Sequence, residues 1–212
     1  MNHYLVAAGW LLVGALAAYG MRRLSVWLAR LEELEPGFKP WQAWGPVILT
    51  AVLFAVFGWK FGAGVTLLVV SLWVVVLVQV IFFDLEHRLI LDRIMFPSWG
   101  LAVLASIFVH HPGWLNAIAT GLGAGAILLL LAVLGALVMR TEAMGLGDVK
   151  LAVFVGLIVG FPGTFNALLY GILLAGFISI LLIAVRVKGL KDTIAYGPYL
   201  CAGALIQLFV QG

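Results

Sequence analysis

Two aspartates stand at the margins of long apolar segments of this chain. Asp84 follows the run Val80-Ile81-Phe82-Phe83, and Asp148 precedes an apolar segment within Met144-Gly145-Leu146-Gly147-Asp148-Val149-Lys150. An ionisable group at the margin of a membrane is costly, so it is a candidate functional group by default. Two carboxylates that share a proton are what an aspartic protease uses. The first question is whether the chain can bring these two aspartates together.

An aspartic protease needs one neutral and one ionised carboxyl group, so that the pair can activate water and protonate the leaving amine. Two neighbouring carboxylates meet this need because both cannot ionise, and they titrate as a unit. Gly145 and Gly147 would leave the backbone before Asp148 free of Cβ atoms, so an extended substrate strand could approach. Lys150 could bind anionic lipid or substrate. We therefore name Asp84 and Asp148 as candidate catalytic residues, supported by Gly145, Gly147 and Lys150.

Each aspartate also has an ordinary structural interpretation. Asp148 could be the N-cap residue of the helix that follows it, where aspartate is favoured and complements the helix dipole. Asp84 could be a loop residue that pairs with Arg88 four positions on. Solvated loop charge or polarity is the favoured interpretation of the remaining acidic and histidine candidates, namely Glu86, His87, Asp92, Glu142 and the His110-His111 pair.

The composition indicates an integral membrane protein. Of the 212 residues, 65% are hydrophobic and 10% are charged, and the mean hydropathy is +1.19, whereas soluble domains have roughly 25% charged residues. The isoelectric point is near 9.2, but the basic residues form no continuous stripe, so no nucleic acid is expected as a partner. The single cysteine, Cys201, excludes an internal disulfide and a cysteine-based metal site. We expect no cofactor and no bound metal.

Apolar segments of spanning length, about 20 residues with a range of roughly 17–25, set the expected architecture. We predict an all-α integral membrane protein, a polytopic bundle of about eight transmembrane helices in a single domain over residues 1–212. The predicted helices lie at about 4–20, 45–59, 65–83, 94–109, 115–138, 149–161, 166–185 and 196–210. Gly121-x-x-x-Gly125 and Gly156-x-x-x-Gly160 would let the fifth and sixth helices pack closely.

The basic residues predict the orientation of these helices. Arginines follow the first apolar segment and no basic residue precedes it, which favours a retained helix with an outside N-terminus over a cleavable signal peptide. With eight helices, eleven of the twelve basic residues fall on the cytoplasmic side and only Lys60 falls on the other. Asp84 and Asp148 then come at cytoplasmic ends, of the third and the sixth helix. The predicted topology therefore allows Asp84 and Asp148 to form one shared site.

The two aspartate segments together resemble the type IV prepilin leader peptidases, a family of membrane aspartyl proteases. Asp84-Leu85-Glu86-His87-Arg88-Leu89-Ile90-Leu91-Asp92 has the spacing of the family pattern D-x-x-x-x-x-I-P-[DN]. Glu142-Ala143-Met144-Gly145-Leu146-Gly147-Asp148-Val149-Lys150-Leu151 matches the family pattern E-x-M-G-x-G-D-V-K-L throughout. Tyr196-Gly197-Pro198 is similar to a family F-G-P near the last helix, and Tyr19-Gly20-Met21-Arg22-Arg23 is similar to the family's opening.

This resemblance implies an aspartic endopeptidase with Asp84 and Asp148 as its catalytic residues. Such enzymes cut the short basic leader from prepilins or pseudopilins at the cytoplasmic face of the inner membrane, after a glycine that precedes the apolar helix. The partners it implies are those leader peptides and the lipid bilayer. No feature of the sequence indicates an oligomeric state.

Two departures from the family pattern keep alternatives open. The family's paired C-x-x-C motifs, associated with zinc and with methyl transfer, have no counterpart in the predicted first cytoplasmic loop at about 21–44, so neither property is implied here. Leu91 replaces the family's proline, which would remove a rigid turn. A non-catalytic relative that acts in pilus or secretion assembly is one alternative. An intramembrane protease of the presenilin and signal-peptide-peptidase group is another, and a proton-coupled transporter is a third.

Eight helices with both termini outside predict that residues 84–93 face the cytoplasm. A fused reporter enzyme that is active only outside the cytoplasm is expected to be inactive after residue 93. The same reporter is expected to be active after residue 62, beside Lys60, because the basic residues stay on the cytoplasmic side. Activity of the reporter after residue 93 would contradict the orientation.

Overall fold

The computed structural model of the chain describes residues 2–35, 37, 39–109, 111–139, 145–186 and 195–211. These residues form eight α-helices and, within the described ranges, no β-strand. The helices are α1 (His3–Leu31), α2 (Pro40–Phe61), α3 (Val65–His87), α4 (Asp92–Phe108), α5 (Trp114–Met139), α6 (Leu146–Val159), α7 (Gly163–Ala184) and α8 (Gly197–Gln211). The predicted fold class, an all-α protein with about eight helices, is confirmed.

Five of the described helices, α1, α2, α3, α5 and α7, are long and apolar enough to cross a membrane. The chain is thus a multi-pass membrane protein. The helices α6 and α8 have 14 and 15 residues, fewer than the roughly 17–25 that a span needs. The helix α4 has 17 residues. The apolar segments predicted for these three helices, at 94–109, 149–161 and 196–210, are similarly short.

Close contacts divide the chain into two compact units. The first comprises Met1–Leu89 with Leu208–Gly212 and contains α1, α2 and α3. The second comprises Ile90–Gln207 and contains α4 to α7 with most of α8. The single peptidase domain expected over residues 1–212 stays a prediction.

The connection between the first two helices is shorter than the sequence suggested. The helix α1 continues through the arginines to Leu31, and α2 begins at Pro40, so the loop predicted at about 21–44 is mostly helical. Leu28 and Ala29 are buried on one side of this extension, which stabilises the helix beyond its apolar part. Hydropathy identifies the end of the apolar segment, but the helix α1 continues beyond that end. Proline is favoured at the first helical position, which explains the start of α2.

Helices α1 and α3 of the first unit are joined by hydrogen bonds between polar side chains. The Trp10 indole N–H donates to the Ser71 hydroxyl oxygen at 2.8 Å, and the Gln79 amide donates to the Ser25 hydroxyl oxygen. Lipid offers no hydrogen-bond partner, so polar groups inside spanning helices find partners in the protein. Large side chains that are almost fully buried fill the unit around these bonds, among them Phe57, Leu67 and Leu77.

Helices α5 and α6 of the second unit cross with their backbones in contact. A Cβ atom at residue 156 would lie 2.6 Å from the Gly121 Cα atom, which is too close for two carbon atoms. Gly125 lies in the same way against Val153. The close packing predicted from the small-residue motifs is confirmed for Gly121, Gly125 and Gly156. Gly160 instead ends α6 as its C-cap residue, at φ 71°.

The Gly156→Ala variant tests this contact. We expect its apparent free energy of unfolding to fall by about 1–3 kcal/mol, the usual cost of overpacking, because α5 and α6 must separate. Gly123→Ala on α5 is the matched control, since a Cβ atom there meets no atom within 4 Å and alanine favours the helix. Thermal unfolding of both variants in detergent micelles measures the difference. Equal midpoints would contradict the contact.

Candidate active site

Asp84 lies in the last turn of α3 and is buried. It is 5% exposed, and α3 continues to His87 before Arg88 ends it in the left-handed conformation, at φ 53° and ψ 39°. The Arg88 backbone N–H donates to the Asp84 carbonyl oxygen at 2.8 Å. The interpretation of Asp84 as an ordinary loop residue is wrong, because the helix extends past it. A buried carboxyl group at a membrane margin keeps Asp84 a candidate functional group.

Glu86 and His87, which follow Asp84, are not solvated either. The Glu86 side chain is 3% exposed, and its carboxylate accepts from Arg22 Nη1 at 2.9 and 3.2 Å. The His87 ring packs on Phe83 with the ring centroids 4.7 Å apart, and its Nε2 lies 3.6 Å from Glu86 Oε2. The expectation of solvated loop residues is wrong for both, because α3 reaches His87 and presents Glu86 to α1.

Asp148 lies in the first turn of α6 and is partly buried. The N-cap residue of α6 is Gly145, at φ −72° and ψ 144°, so the interpretation of Asp148 as the N-cap residue is wrong. The Asp148 backbone N–H donates to the Gly145 carbonyl oxygen at 3.1 Å. Its carboxylate remains in the first turn, where a negative charge complements the helix dipole.

The first turn of α6, which contains Asp148, lies part of the way along α5. Two contacts between these helices run in antiparallel order, namely Gly121 with Leu157 and Gly125 with Val153. Leu128 of α5 and Val149 of α6 belong to one buried cluster. This register puts Asp148 level with Leu130. The helix α5 runs on to Met139, which is roughly 13 Å further at 1.5 Å per residue. The prediction that Asp148 lies at one end of the sixth helix is confirmed. That end of α6 is recessed from the C-terminal end of α5.

The two glycines before Asp148 have different surroundings. A Cβ atom at residue 145 would meet its nearest described atoms at 3.9 Å, whereas one at residue 147 would lie 3.1 Å from the Ile90 Cβ atom. Gly145 therefore has no closer neighbour among the described residues, and its role in the approach of a substrate stays a prediction. The space beside Gly147 is filled by Ile90, so Gly147 allows the segment before α4 to pack against α6.

Lys150 forms an ion pair that joins α6 to α4. Its ammonium group donates to Asp92 Oδ1 and lies 5.7 Å from the centre of the Phe96 ring. The Trp99 indole N–H donates to the Lys150 carbonyl oxygen at 3.2 Å. Asp92 is the first residue of α4 and its side chain is 52% exposed. The expected loop charge at Asp92 is thus corrected to an exposed interhelical ion pair, and binding of lipid or substrate by Lys150 stays a prediction.

The ends of the two sequence motifs meet within the second unit. Ile90 and Asp92 of the first motif contact Gly147 and Lys150 of the second. Leu91 lies between them at φ −73° and ψ 128°, a conformation that proline also adopts. The backbone at Leu91 is thus compatible with the family's proline, and the effect of the missing ring on the rigidity of the turn stays a prediction.

Some of the sequence-based expectations are not tested by these contacts. Glu142 and His110 lie outside the described residues. Within the described ranges, no group of three or more His, Cys, Asp or Glu side chains is placed to hold a metal ion, and the absence of a metal remains an expectation. Asp84 belongs to the first unit and Asp148 to the second, so their pairing stays a prediction.

Arg22 and Ile90 contact the candidate residues but are absent from the sequence-based candidates. In the sequence, Arg22 counts among the basic residues that predict orientation, and its contact with Glu86 follows only once α1 is known to extend past it. Ile90 is a fixed position of the first motif. That position is the one signal in the sequence that could have identified it.

The fold and the two motif segments define a class of protein: a helical, multi-pass membrane protein with an aspartate in the last turn of one helix and a glycine-flanked aspartate in the first turn of another. The model of the type IV leader peptidase family matches residues 71–180, which is more than half of the chain and includes both aspartates. The chain belongs to the type IV leader peptidase family.

Three curated proteins named prepilin leader peptidase/N-methyltransferase are similar to the chain. The protein from Legionella pneumophila is 29% identical over 164 residues, covering 76% of this chain and 56% of the relative. The protein from Bacillus subtilis (strain 168) is 24% identical, with 75% and 62% covered. The protein from Pseudomonas putida is 27% identical, with 74% and 55% covered. The chain thus matches little more than half the length of these relatives, and no solved structure matches it at a comparable significance.

Serine substitutions at the two glycines are expected to differ in effect. Gly147→Ser should lower the midpoint of thermal unfolding, because its Cβ atom would press on Ile90 and overpacking costs about 1–3 kcal/mol. Gly145→Ser should leave the midpoint unchanged or raise it, because the site is open and serine is a favoured N-cap residue. Thermal unfolding in detergent micelles measures both variants. A larger loss for Gly145→Ser would contradict the described contacts.

Proposed function

We propose that this chain is a membrane aspartic endopeptidase that removes the basic leader peptide from type IV prepilin-like or pseudopilin-like proteins. Asp84 and Asp148 are its catalytic residues, and no metal or other cofactor takes part. It acts in the inner membrane with its catalytic residues toward the cytoplasm, and its products serve a type IV pilus or a protein secretion system.

One observation carries this proposal. The family match over residues 71–180 contains both aspartates, and each stands in a segment with the residue spacing of a family motif. The names of the three relatives supply the class of substrate, prepilins, and the reaction, removal of a leader. The proposal covers proteolysis alone, because residues 21–44 contain no cysteine that could form the module associated with methyl transfer.

The chemistry requires the two carboxyl groups to share one proton. The ionised carboxylate removes a proton from a water molecule as the water oxygen attacks the carbonyl carbon of the scissile peptide bond. The protonated carboxyl group donates its proton to the leaving nitrogen as the carbon–nitrogen bond breaks. The proton taken from water stays on the other carboxyl group, so the pair again shares one proton. The leader then ends in a carboxyl group and the mature protein begins with an amine. Which aspartate holds the proton at rest is a property of the pair.

The surroundings of Asp148 suit a substrate that is unwound at the scissile bond. Gly145 leaves space for a backbone beside Asp148, and an extended strand is the conformation in which proteases bind peptides. Asp148 is recessed from the C-terminal end of α5, so a scissile bond beside it is bound below that end of α5. A substrate in which a basic leader meets an apolar helix suits a site at that position. The basic part stays near the aqueous face and the apolar helix stays in lipid.

The alternative of a non-catalytic relative is less well supported. It was motivated by the missing cysteine module and by Leu91, but Leu91 has a φ of −73°, within the range of proline. The family match also favours this family over the presenilin and signal-peptide-peptidase group. No specific contact in the described residues favours proton transport.

The Asp84→Asn and Asp148→Asn variants test the proposal. Each is expected to abolish cleavage of a prepilin by the purified protein, because asparagine cannot ionise, while thermal unfolding in detergent stays close to the wild type. The double variant should be barely slower than either single variant, since members of a catalytic unit are strongly non-additive. Asp92→Asn should keep substantial activity, because an exposed ion pair contributes only about 0–1 kcal/mol.

Glu33→Gln is the matched control, since it neutralises an exposed carboxylate on the same predicted side of the membrane. It should cleave like the wild type. Near-normal cleavage by Asp84→Asn or by Asp148→Asn would refute the assignment of that residue.

A further inference from the structure

Arg22, Glu86 and Gly37 form a charged contact beside the last turn of α3, which the proposed chemistry does not use. Arg22 Nη1 donates to both oxygens of Glu86, at 2.9 and 3.2 Å, and Arg22 Nη2 donates to the Gly37 carbonyl oxygen. The side chains of Arg22 and Glu86 are 14% and 3% exposed. One guanidinium group thus joins α1, the end of α3 and the segment between α1 and α2.

The position of Glu86 explains why this end of α3 needs a counter-charge. Asp84 and Glu86 are both in the last turn of α3, where the helix dipole is negative and acidic side chains are unfavourable. The helix then ends at Arg88, a non-glycine residue in the left-handed conformation at φ 53°, which is itself costly. The Arg22 guanidinium compensates the Glu86 charge and so stabilises a helix end that carries two unfavourable features.

The contact with Gly37 makes this arrangement specific for arginine and for glycine. A Cβ atom at residue 37 would collide with the Gln42 amide group. That amide is fixed in turn, because its Oε1 accepts from the Lys39 backbone N–H at 2.8 Å. A lysine at position 22 has a single ammonium group at the end of a flexible chain and lacks the planar fork that serves two acceptors in fixed directions.

His87 also lies close to the Glu86 carboxylate. Its Nε2 lies 3.6 Å from Glu86 Oε2, and its ring packs on Phe83, one turn earlier in α3. Both Arg22 of α1 and His87 of α3 are thus neighbours of the Glu86 carboxylate. Asp84 lies in the turn whose geometry these contacts set.

We propose that Arg22 is a positioning residue for Asp84: by holding Glu86 and Gly37 it fixes the last turn of α3 in the one conformation that presents the Asp84 carboxyl group correctly. This inference rests on the proposed function of Asp84. A positioning role can be distinguished from a purely stabilising one, because a buried ion pair is often replaceable by apolar residues without loss of stability. A positioning role predicts that such a replacement restores folding but not catalysis.

The Arg22→Lys variant is the first test, with Arg23→Lys as its matched control. Arg23 is the next residue of α1, and its recorded contacts are with Tyr19 one turn earlier in the same helix. Arg22→Lys is expected to lower kcat for prepilin cleavage by about 10- to 100-fold with KM nearly unchanged, because small displacements of a catalytic group are costly to the rate. Arg23→Lys should cleave like the wild type. Equal kcat values for the two variants would overturn the proposal.

The Arg22→Met/Glu86→Met double variant covers the case in which single substitutions fail to fold. It removes both charges together, so no buried charge is left without a partner, and it should unfold at a midpoint close to that of the wild type. Its kcat should remain as low as that of Arg22→Lys. Wild-type kcat in this double variant would show a stabilising role only and would overturn the positioning role.

Hydrogen exchange gives a readout that does not need activity. The Arg88 amide bonds to the Asp84 carbonyl oxygen at 2.8 Å, so exchange in a peptide that covers residues 82–90 reports the last turn of α3. Exchange there should be at least several-fold faster in Arg22→Lys than in Arg23→Lys. If the wild-type protein cleaves no prepilin, the proposed function fails, and exchange alone decides whether Arg22 holds this turn. Unchanged exchange would overturn the proposal in either case.

Discussion

The backbones of α5 and α6 touch at Gly121 and Gly156, and this contact determines where α6 begins along α5. Helices in lipid gain little from the hydrophobic effect against one another, so their register depends on close van der Waals packing at small residues. A register shift by one turn would move Asp148 by about 5.4 Å. The position of the glycine-flanked aspartate along α5 is thus set by a contact about two turns away from it.

The two aspartates share a local design, although each belongs to its own unit. The residue two positions after Asp84 is Glu86, which pairs with Arg22 of α1. The residue two positions after Asp148 is Lys150, which pairs with Asp92 of α4. In each case the residue two positions after the aspartate forms a salt bridge to a neighbouring helix. We expect the buried Arg22–Glu86 pair to constrain its helix turn more strongly than the exposed Lys150–Asp92 pair, because water screens exposed pairs.

Composition and periodicity were enough to predict the helices, and they failed where a helix continues without an apolar sequence. The fifth helix was expected at 115–138 and is observed at Trp114–Met139. The first was expected to end at residue 20 and ends at Leu31, because Leu28 and Ala29 keep it packed past the arginines. The sixth was expected to start at 149 and starts at Leu146, since its first turn contains a glycine and an aspartate that hydropathy does not count as helical.

The two candidate catalytic residues could be named from sequence motifs, but their surroundings could not. The sequence predicts solvated loop residues at Glu86 and His87, because their partners, Arg22 and Phe83, become neighbours only in the folded chain. The sequence identifies Leu91 in place of the family's proline, but it does not give the φ of −73° that the residue adopts. Tertiary contacts decide the surroundings of Glu86 and His87, and a single sequence contains no direct signal for them.

If the chain cuts a leader from an apolar helix by means of its own aspartates, the masses of the products show it most directly when the purified protein is mixed with a purified prepilin in detergent or vesicles. We expect two products from one cut, directly after the glycine that precedes the apolar helix, in the presence of a metal chelator. An intact prepilin, or cuts scattered within the apolar helix, would contradict it.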